Sequence, residues 1–198
     1  MTEKAAWMAE QRNRNSRHEL GQEREKRRSG LLEHVVLLVV AFVLVFGFVR
    51  PFVVEAFRVP TVSMVPTLQV GDRFLANKLV YSFAEPERGD IVVFDSIEEN
   101  DETLVKRVAG LPGDVVRVEG GALFVNGKPE DEPYLNTDVV ADATPAYGPV
   151  EVPEGKIFVL GDNRGNSGDS RFFGFLPKQN VEGEAFLRFW PLTRIGIP

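Results

Sequence analysis

Polar and apolar positions divide the chain into three stretches of different pattern. Residues 1–30 are polar, mixed in charge and rich in Arg, Glu and Asn. Such a composition buries too little to hold a fold, so a loosely structured tail is expected. Leu31 to Val49 is apolar apart from Glu33 and His34 near its start. Crossing the hydrocarbon core takes about 20 apolar residues as a helix, so one transmembrane helix is predicted over residues 31–50. A cleavable leader would need a small-x-small site beyond the apolar run. The chain instead continues Val49-Arg50-Pro51-Phe52-Val53-Val54-Glu55, so the segment reads as an anchor.

From Phe52 onward the pattern changes to short apolar runs punctuated by turn residues. Strands are predicted at Arg73-Phe74-Leu75-Ala76, Asp90 to Phe94, Leu104 to Ala109, Asp114 to Val118, Ala122 to Val125, Lys156 to Leu160 and Gly183 to Trp190. Asn126-Gly127 supplies a hairpin turn, and Pro112-Gly113, Gly120-Gly121 and Glu154-Gly155 supply others. No helical period follows Val54, apart from turns near Pro66 and Pro177. Thr137 to Pro153 reads as a long surface loop or irregular hairpin. The expected fold class is mainly β, with an antiparallel β-sheet domain over residues 51–198 behind one N-terminal transmembrane helix.

Charge sharpens this picture. Residues 1–30 carry eight Lys/Arg against five Asp/Glu, whereas the remainder carries fifteen against twenty-four. An acidic body argues against nucleic acid as a partner. The basic head beside an apolar run points to a lipid bilayer, and its Lys/Arg excess predicts a cytoplasmic N-terminus. The expected location is therefore the cell (inner or cytoplasmic) membrane, single-pass, with a cytoplasmic tail at 1–30 and the β domain outside. The chain has no cysteine, which removes disulfides, thiolate nucleophiles and thiolate metal ligands. Its two histidines are His18 and His34, so none lies between Val35 and Pro198. The β domain can hold neither a Ser-His-Asp triad nor an HExxH zinc site. No metal and no cofactor is expected. A hydrolase here needs another base, and lysine qualifies because burial lowers its pKa towards neutrality.

Two segments are more polar than strands require. Pro60-Thr61-Val62-Ser63-Met64-Val65-Pro66-Thr67-Leu68 brackets a serine between prolines that restrict its backbone. An ordinary turn with a surface serine fits the segment too. Gly161-Asp162-Asn163-Arg164-Gly165-Asn166-Ser167-Gly168-Asp169-Ser170-Arg171 follows an apolar strand. It is no EF-hand loop, because Arg164 stands where an oxygen ligand is needed. Its carboxylates have arginines close by, as in a hydrogen-bonded scaffold. Five lysines follow the apolar run. Lys128, Lys156 and Lys178 sit at turns, Lys106 lies in a strand able to bury one face, and Lys78 is the second candidate.

The segments Ser63-Met64-Val65-Pro66-Thr67-Leu68, Gly71-Asp72, Arg88-Gly89-Asp90-Ile91-Val92-Val93-Phe94, Val105 to Asp114 and Gly161-Asp162-Asn163-Arg164-x-x-Ser167-x-Asp169-Ser170-Arg171 resemble the successive boxes of bacterial type I signal peptidases, in the family's order. The resemblance implies a serine endopeptidase that removes signal peptides from secretory precursor proteins. It implies Ser63 as nucleophile, Lys106 as general base and Ser167 as the hydroxyl that orients the lysine. Thr61 falls where the family often places a hydroxyl completing the oxyanion hole beside the Ser63 N–H. Arg107, Asp162, Asp169 and Arg171 match residues that hold the site by ion pairing. Val59, Met64 and Leu68, beside the nucleophile, are expected to line shallow subsites suited to the family's Ala-x-Ala preference. Val62 stands where many members have glycine, and a single span departs from members with two.

Two rival readings stay open on sequence: a Ser/Lys peptidase dedicated to one substrate such as a pilin, and a non-catalytic anchored β module. Self-cleaving SOS repressors share the Ser/Lys chemistry but carry a DNA-binding head unlike this charged tail. An amine-to-hydroxyl separation beyond about 5 Å, or a freely hydrated Lys106, would exclude the protease reading.

Overall fold

Short β-rich runs separated by glycine and proline fold, among the described residues, as eleven strands in two antiparallel sheets. The structure is a computed structural model and describes Trp7, residues 34–45, Gly47, and residues 53–97, 102–135 and 144–198. The chain divides into two units, Met1–Pro51 and Phe52–Pro198.

In the first unit residues 34–44 are α-helical, and the apolar side chains from Val35 to Val40 and Phe42 to Val45 are exposed all round. Among the described residues no helix is long and apolar enough to cross a membrane. The predicted tail, except Trp7, and the predicted span at 31–33, 46 and 48–50 lie outside the described residues.

The second unit carries both sheets. The larger contains β1 (Val54–Arg58), β2 (Arg73–Asn77), β3 (Ile91–Asp95), β4 (Thr103–Gly110), β9 (Lys156–Leu160), β10 (Leu176–Pro177) and β11 (Val181–Trp190), in the order β1-β2-β11-β3-β4-β9-β10. The smaller contains β5 (Val115–Glu119), β6 (Ala122–Val125), β7 (Lys128–Pro129) and β8 (Tyr147–Glu151), in the order β7-β6-β5-β8. Asn126, with φ 53°, and Gly127, with φ 80°, make the predicted β6–β7 turn, where left-handed backbone favours these residue types.

Packing explains which strands alternate and which do not. β5 and β6 bury every second residue, and Val116, Val118, Leu123 and Val125 meet Ala109, Phe158 and Leu160 in a core between the sheets. The inner strands β3, β4 and β9 are covered on both faces, so Ile91 to Phe94 and Ile157 to Leu160 are buried continuously. A second core joins Val59, Met64 and Leu68 to Phe74, Ala76, Ile91 and Val93. A third joins Val92, Phe94 and Val108 to Ile157, Val159 and Leu176.

All seven predicted strands are present within two residues of their expected ends, and β1, β7, β8 and β10 were not foreseen. The stretch read as a surface loop or irregular hairpin, Thr137 to Pro153, contains β8, which pairs with β5 with a register shift; its residues 137–143 lie outside the described residues. The short helix Ser170–Phe173 was also unexpected. Asp169 caps it, accepting a hydrogen bond from the Arg171 backbone N–H.

Candidate active site

Ser63 lies in the turn between β1 and β2, and Lys106 in the middle of β4. The turn is built locally and anchored remotely. Val65 N donates to Val62 O, Leu68 N donates to Met64 O, and the Val65–Pro66 bond is cis. Met64 and Leu68 point into the core and pin the turn to the sheet. Arginines more than a hundred residues further on hold its outer side: Arg188 Nη1 donates to Thr67 O at 2.5 Å, and Arg194 Nη2 donates to Pro66 O and Thr67 O. Arg194 also grips Asp72 at 2.8 Å. Nothing local in the sequence marks these clamps, since β11 returns beside β2 only in the fold.

Lys106 Nζ and Ser63 Oγ are 2.8 Å apart, Nζ donating, and both residues are buried. Thr61 Oγ1 sits 3.2 Å from Ser63 Oγ. Burial lowers the Lys106 pKa to about 8, while the carboxylates of Asp169 and then Asp162 oppose the shift. Lys78, the competing lysine, is half-exposed and donates to Glu55 at 2.8 Å. That hydrogen bond raises its pKa, so it stays charged.

The turn after β9 closes the site from behind. Gly161 approaches so closely that an added Cβ would lie 2.5 Å from Ser63 O and 2.2 Å from Ser167 Oγ. Asn163 N donates to Ser63 O at 3.0 Å, and Asn163 Nδ2 donates to Val62 O. Asp162 receives Arg107 in two parallel bonds, Nε to Oδ1 at 2.9 Å and Nη2 to Oδ2 at 2.8 Å, and accepts from Thr67 Oγ1. Asp169 receives Arg171 Nε and Nη2 at 2.8 Å each, and accepts from Gly161 N. Both carboxylates are almost fully buried, so each requires its guanidinium partner.

The structure thus brings together Ser63, Lys106, Thr61 and the two ion pairs. Ser167 lies behind Ser63, but its buried hydroxyl has no hydrogen-bond partner among the described residues, so the expected bond to Lys106 is not made. Its Oγ packs against the Gly161 backbone instead. Val59, Met64 and Leu68 do not line a subsite. They belong to the core under the turn and border neither cavity beside Ser63.

The cleft walls come from elsewhere. A cavity of about 300 Å³ beside Ser63 and Lys106 is walled by Phe57, Phe74, Val93, Leu104 and Val105, with Arg58 and Glu102 among its polar lining. A second cavity of about 320 Å³ also reaches Ser63 and Lys106, passing Val62, Asn166, Phe172 and Phe173. Sequence reasoning missed these walls. Strands β1 to β4 supply the first set, and only their pairing assembles it.

Comparison with known proteins gives one consistent result. A family described as "Signal peptidase, peptidase S26" matches residues 31–190. The "Probable signal peptidase I-2" of Synechocystis sp. is 46% identical over 165 residues, covering 81% of this chain and 73% of its own. A "Signal peptidase I" of Leptolyngbya laminosa is 44% identical over 177 residues, covering 85% and 84%. The crystal structure of a signal peptidase I from Enterococcus faecalis V583 is 37% identical, covers 51% of this chain and 97% of its own, and superposes with a TM-score of 0.46.

Proposed function

This chain belongs to the signal peptidase family, peptidase S26, and from that premise we propose that it cleaves signal peptides from translocated precursors with a Ser63–Lys106 dyad. The observation that carries the reading is the 2.8 Å contact between Lys106 Nζ and Ser63 Oγ in a buried setting. Only an uncharged amine can accept the hydroxyl proton. With a pKa of about 8, roughly one Lys106 in ten is neutral at pH 7 and half at pH 8.

The reaction follows from that pair. Ser63 Oγ attacks the scissile carbonyl carbon while its proton passes to Lys106 Nζ. The resulting oxyanion is met by the Ser63 N–H and the Thr61 hydroxyl, a type of contact typically worth about 3–4 kcal/mol. Collapse breaks the C–N bond, and the Lys106 ammonium gives its proton to the departing amine. Neutral Lys106 then takes a proton from the water that attacks the Ser63 ester, and returns it to Ser63 Oγ as the ester bond breaks and the acid product leaves, restoring the enzyme. Phe57, Phe74, Val93, Leu104 and Val105 give the cavity beside Ser63 an apolar wall, which supports apolar side chains ahead of the cut; the narrower Ala-x-Ala preference is what the family resemblance implies.

The apolar surface of helical residues 34–44 supports a single membrane anchor, and the basic head supports an N-terminus in the cytoplasm. Anchoring would raise the effective concentration of emerging precursors at the site.

The test uses the full chain in phospholipid vesicles with a precursor whose leader ends Ala-x-Ala. Ser63→Ala and Lys106→Ala should each lower the cleavage rate by at least about 10³. A serine-directed acylating probe should label the wild type and not Ser63→Ala. Cleavage at the wild-type rate by either variant would refute the assignment.

A further inference from the structure

The segment following β7 lies outside both cavities beside Ser63, yet it reaches two arginines behind the site, Arg107 and Arg164. Arg107 lies over the Tyr134 ring, its guanidinium carbon 3.9 Å from the ring centroid. The same guanidinium holds Asp162 in two bonds and Gly89 O in a third, at 2.8 Å. Arg164, 1% exposed, donates from Nη1 to Gly121 O at 2.9 Å and from Nε to Gly161 O at 3.1 Å. Its fork closes on the Glu132 carboxylate through Nη1 and Nη2. Tyr134 Oη donates to Glu132 Oε1 at 2.8 Å, and Leu123 N donates to Glu132 Oε2 at 3.2 Å.

We propose that Glu132 and Tyr134 are positioning residues for the Ser63–Lys106 pair, acting through Arg164 and Arg107 respectively. The inference rests on the dyad reading given above. Glu132 fixes Arg164, Arg164 fixes the Gly161 carbonyl, and the Gly161–Asn163 turn packs against and donates to Ser63 O. Tyr134 covers the face of Arg107 and keeps water from it, which holds the guanidinium flat against Asp162.

The second route has an electrostatic consequence. Asp169 and Asp162, both from the turn after β9, are the carboxylates that favour the charged form of Lys106. Arg171 neutralises Asp169 and Arg107 neutralises Asp162. Glu102 at the start of β4 and Arg58 on β1 stand further out in the cavity lining. Loosening Arg107 uncovers Asp162 and moves a positive charge away from Lys106. Each of these changes favours the charged lysine. Tyr134 itself stays protonated, since burial and the neighbouring Glu132 push its pKa up.

The experiment is the pH profile of kcat/KM for the full chain in vesicles, with Tyr134→Leu, Tyr134→Phe and Glu132→Gln beside the wild type. The wild type should lose activity as pH falls through about 8, where Lys106 gains its proton. Tyr134→Leu should move that acid limb upward by about half a pH unit or more, with the deficit shrinking at high pH. Tyr134→Phe, which keeps the ring, should leave the limb in place. Glu132→Gln should lower kcat about tenfold or more with little change in KM, as expected when the reacting groups are displaced. The position of a limb does not depend on how much enzyme is folded, so poor folding of Tyr134→Leu would not imitate the result. A limb that stays put in Tyr134→Leu, with rate lost equally at all pH values, overturns the role of Tyr134. An unchanged kcat in Glu132→Gln overturns that of Glu132. A wild type with no acid limb, or an active Ser63→Ala, sinks the dyad reading itself and this inference with it.

Discussion

Replacing Gly161 by alanine isolates how tightly the site is assembled. The backbone at Gly161 is not in the left-handed region, so the methyl group acts by volume alone. It would meet Ser63 O at 2.5 Å, Ser167 Oγ at 2.2 Å and Ser167 Cβ at 2.6 Å. Reaching ordinary contact at about 3.4 Å requires a relative shift of about 0.9 Å between the two turns. Overpacking of this kind costs about 1–3 kcal/mol of stability. The kinetic effect should be larger, because the atom pushed is the carbonyl oxygen of Ser63, the proposed nucleophile. A displacement near 1 Å in a reacting group costs on the order of 10² in rate. Measured as kcat/KM on a leader-bearing precursor, with thermal melting in parallel, Gly161→Ala should lose about a hundredfold in activity and a few degrees in Tm. Adding Ser167→Gly removes two of the three contacts and should restore part of both. Wild-type activity in Gly161→Ala, with its Tm also unchanged, would show that the two turns are not packed as described.

Lys106, the proposed base, should weaken the fold. Its folded pKa of about 8 lies below the usual 10.5, so the unfolded chain holds the extra proton between those values. Stability therefore rises with pH across that window, and the burial cost is complete below it. Lys106→Met should raise stability at pH 7 by on the order of 3 kcal/mol, with the gain gone above about pH 10.5; an unchanged or lower Tm at pH 7 would contradict the burial argument. Asp162→Asn leaves Arg107 buried with half its partner lost, and chemical denaturation should report a loss of about 3–5 kcal/mol. Lys78→Met breaks an exposed pair and should cost less than about 1 kcal/mol, so equal losses would undo that ranking. Leu104 walls both cavities, and Leu104→Trp should raise KM for Ala-x-Ala precursors without lowering Tm, whereas an unaltered KM would remove it from the cleft.

Strands with clear turn punctuation could be read from sequence, and those without it could not. Ala122–Val125 and Lys156–Leu160 appear with their predicted ends because Gly-Gly, Asn-Gly and Glu-Gly bound them. Tyr147–Glu151 was hidden by Gly148-Pro149, which argues against a strand, yet it is an edge strand where a missing N–H is tolerated. Val54–Arg58 was hidden because its start continues the apolar run before it. At the site, residue types and order pointed to Ser63 and Lys106, but nearness in sequence misled about the cleft. Met64 and Leu68 adjoin the serine and face the core, while Phe57, Phe74 and Val93 come from three separate strands. The Arg188 and Arg194 clamps bridge more than 120 residues and leave no local signature.

Three of the four outermost strands, β7, β8 and β10, contain a proline: Pro129, Pro149 and Pro177. An imino acid there cannot extend a ladder, so those flanks offer a passing unfolded polypeptide little to zip onto. On the proposed function, that blunting would favour dwell time at the scissile bond over stray adhesion along the body. The unblunted flank is β1, whose Phe57 and Arg58 already border the chamber beside Ser63.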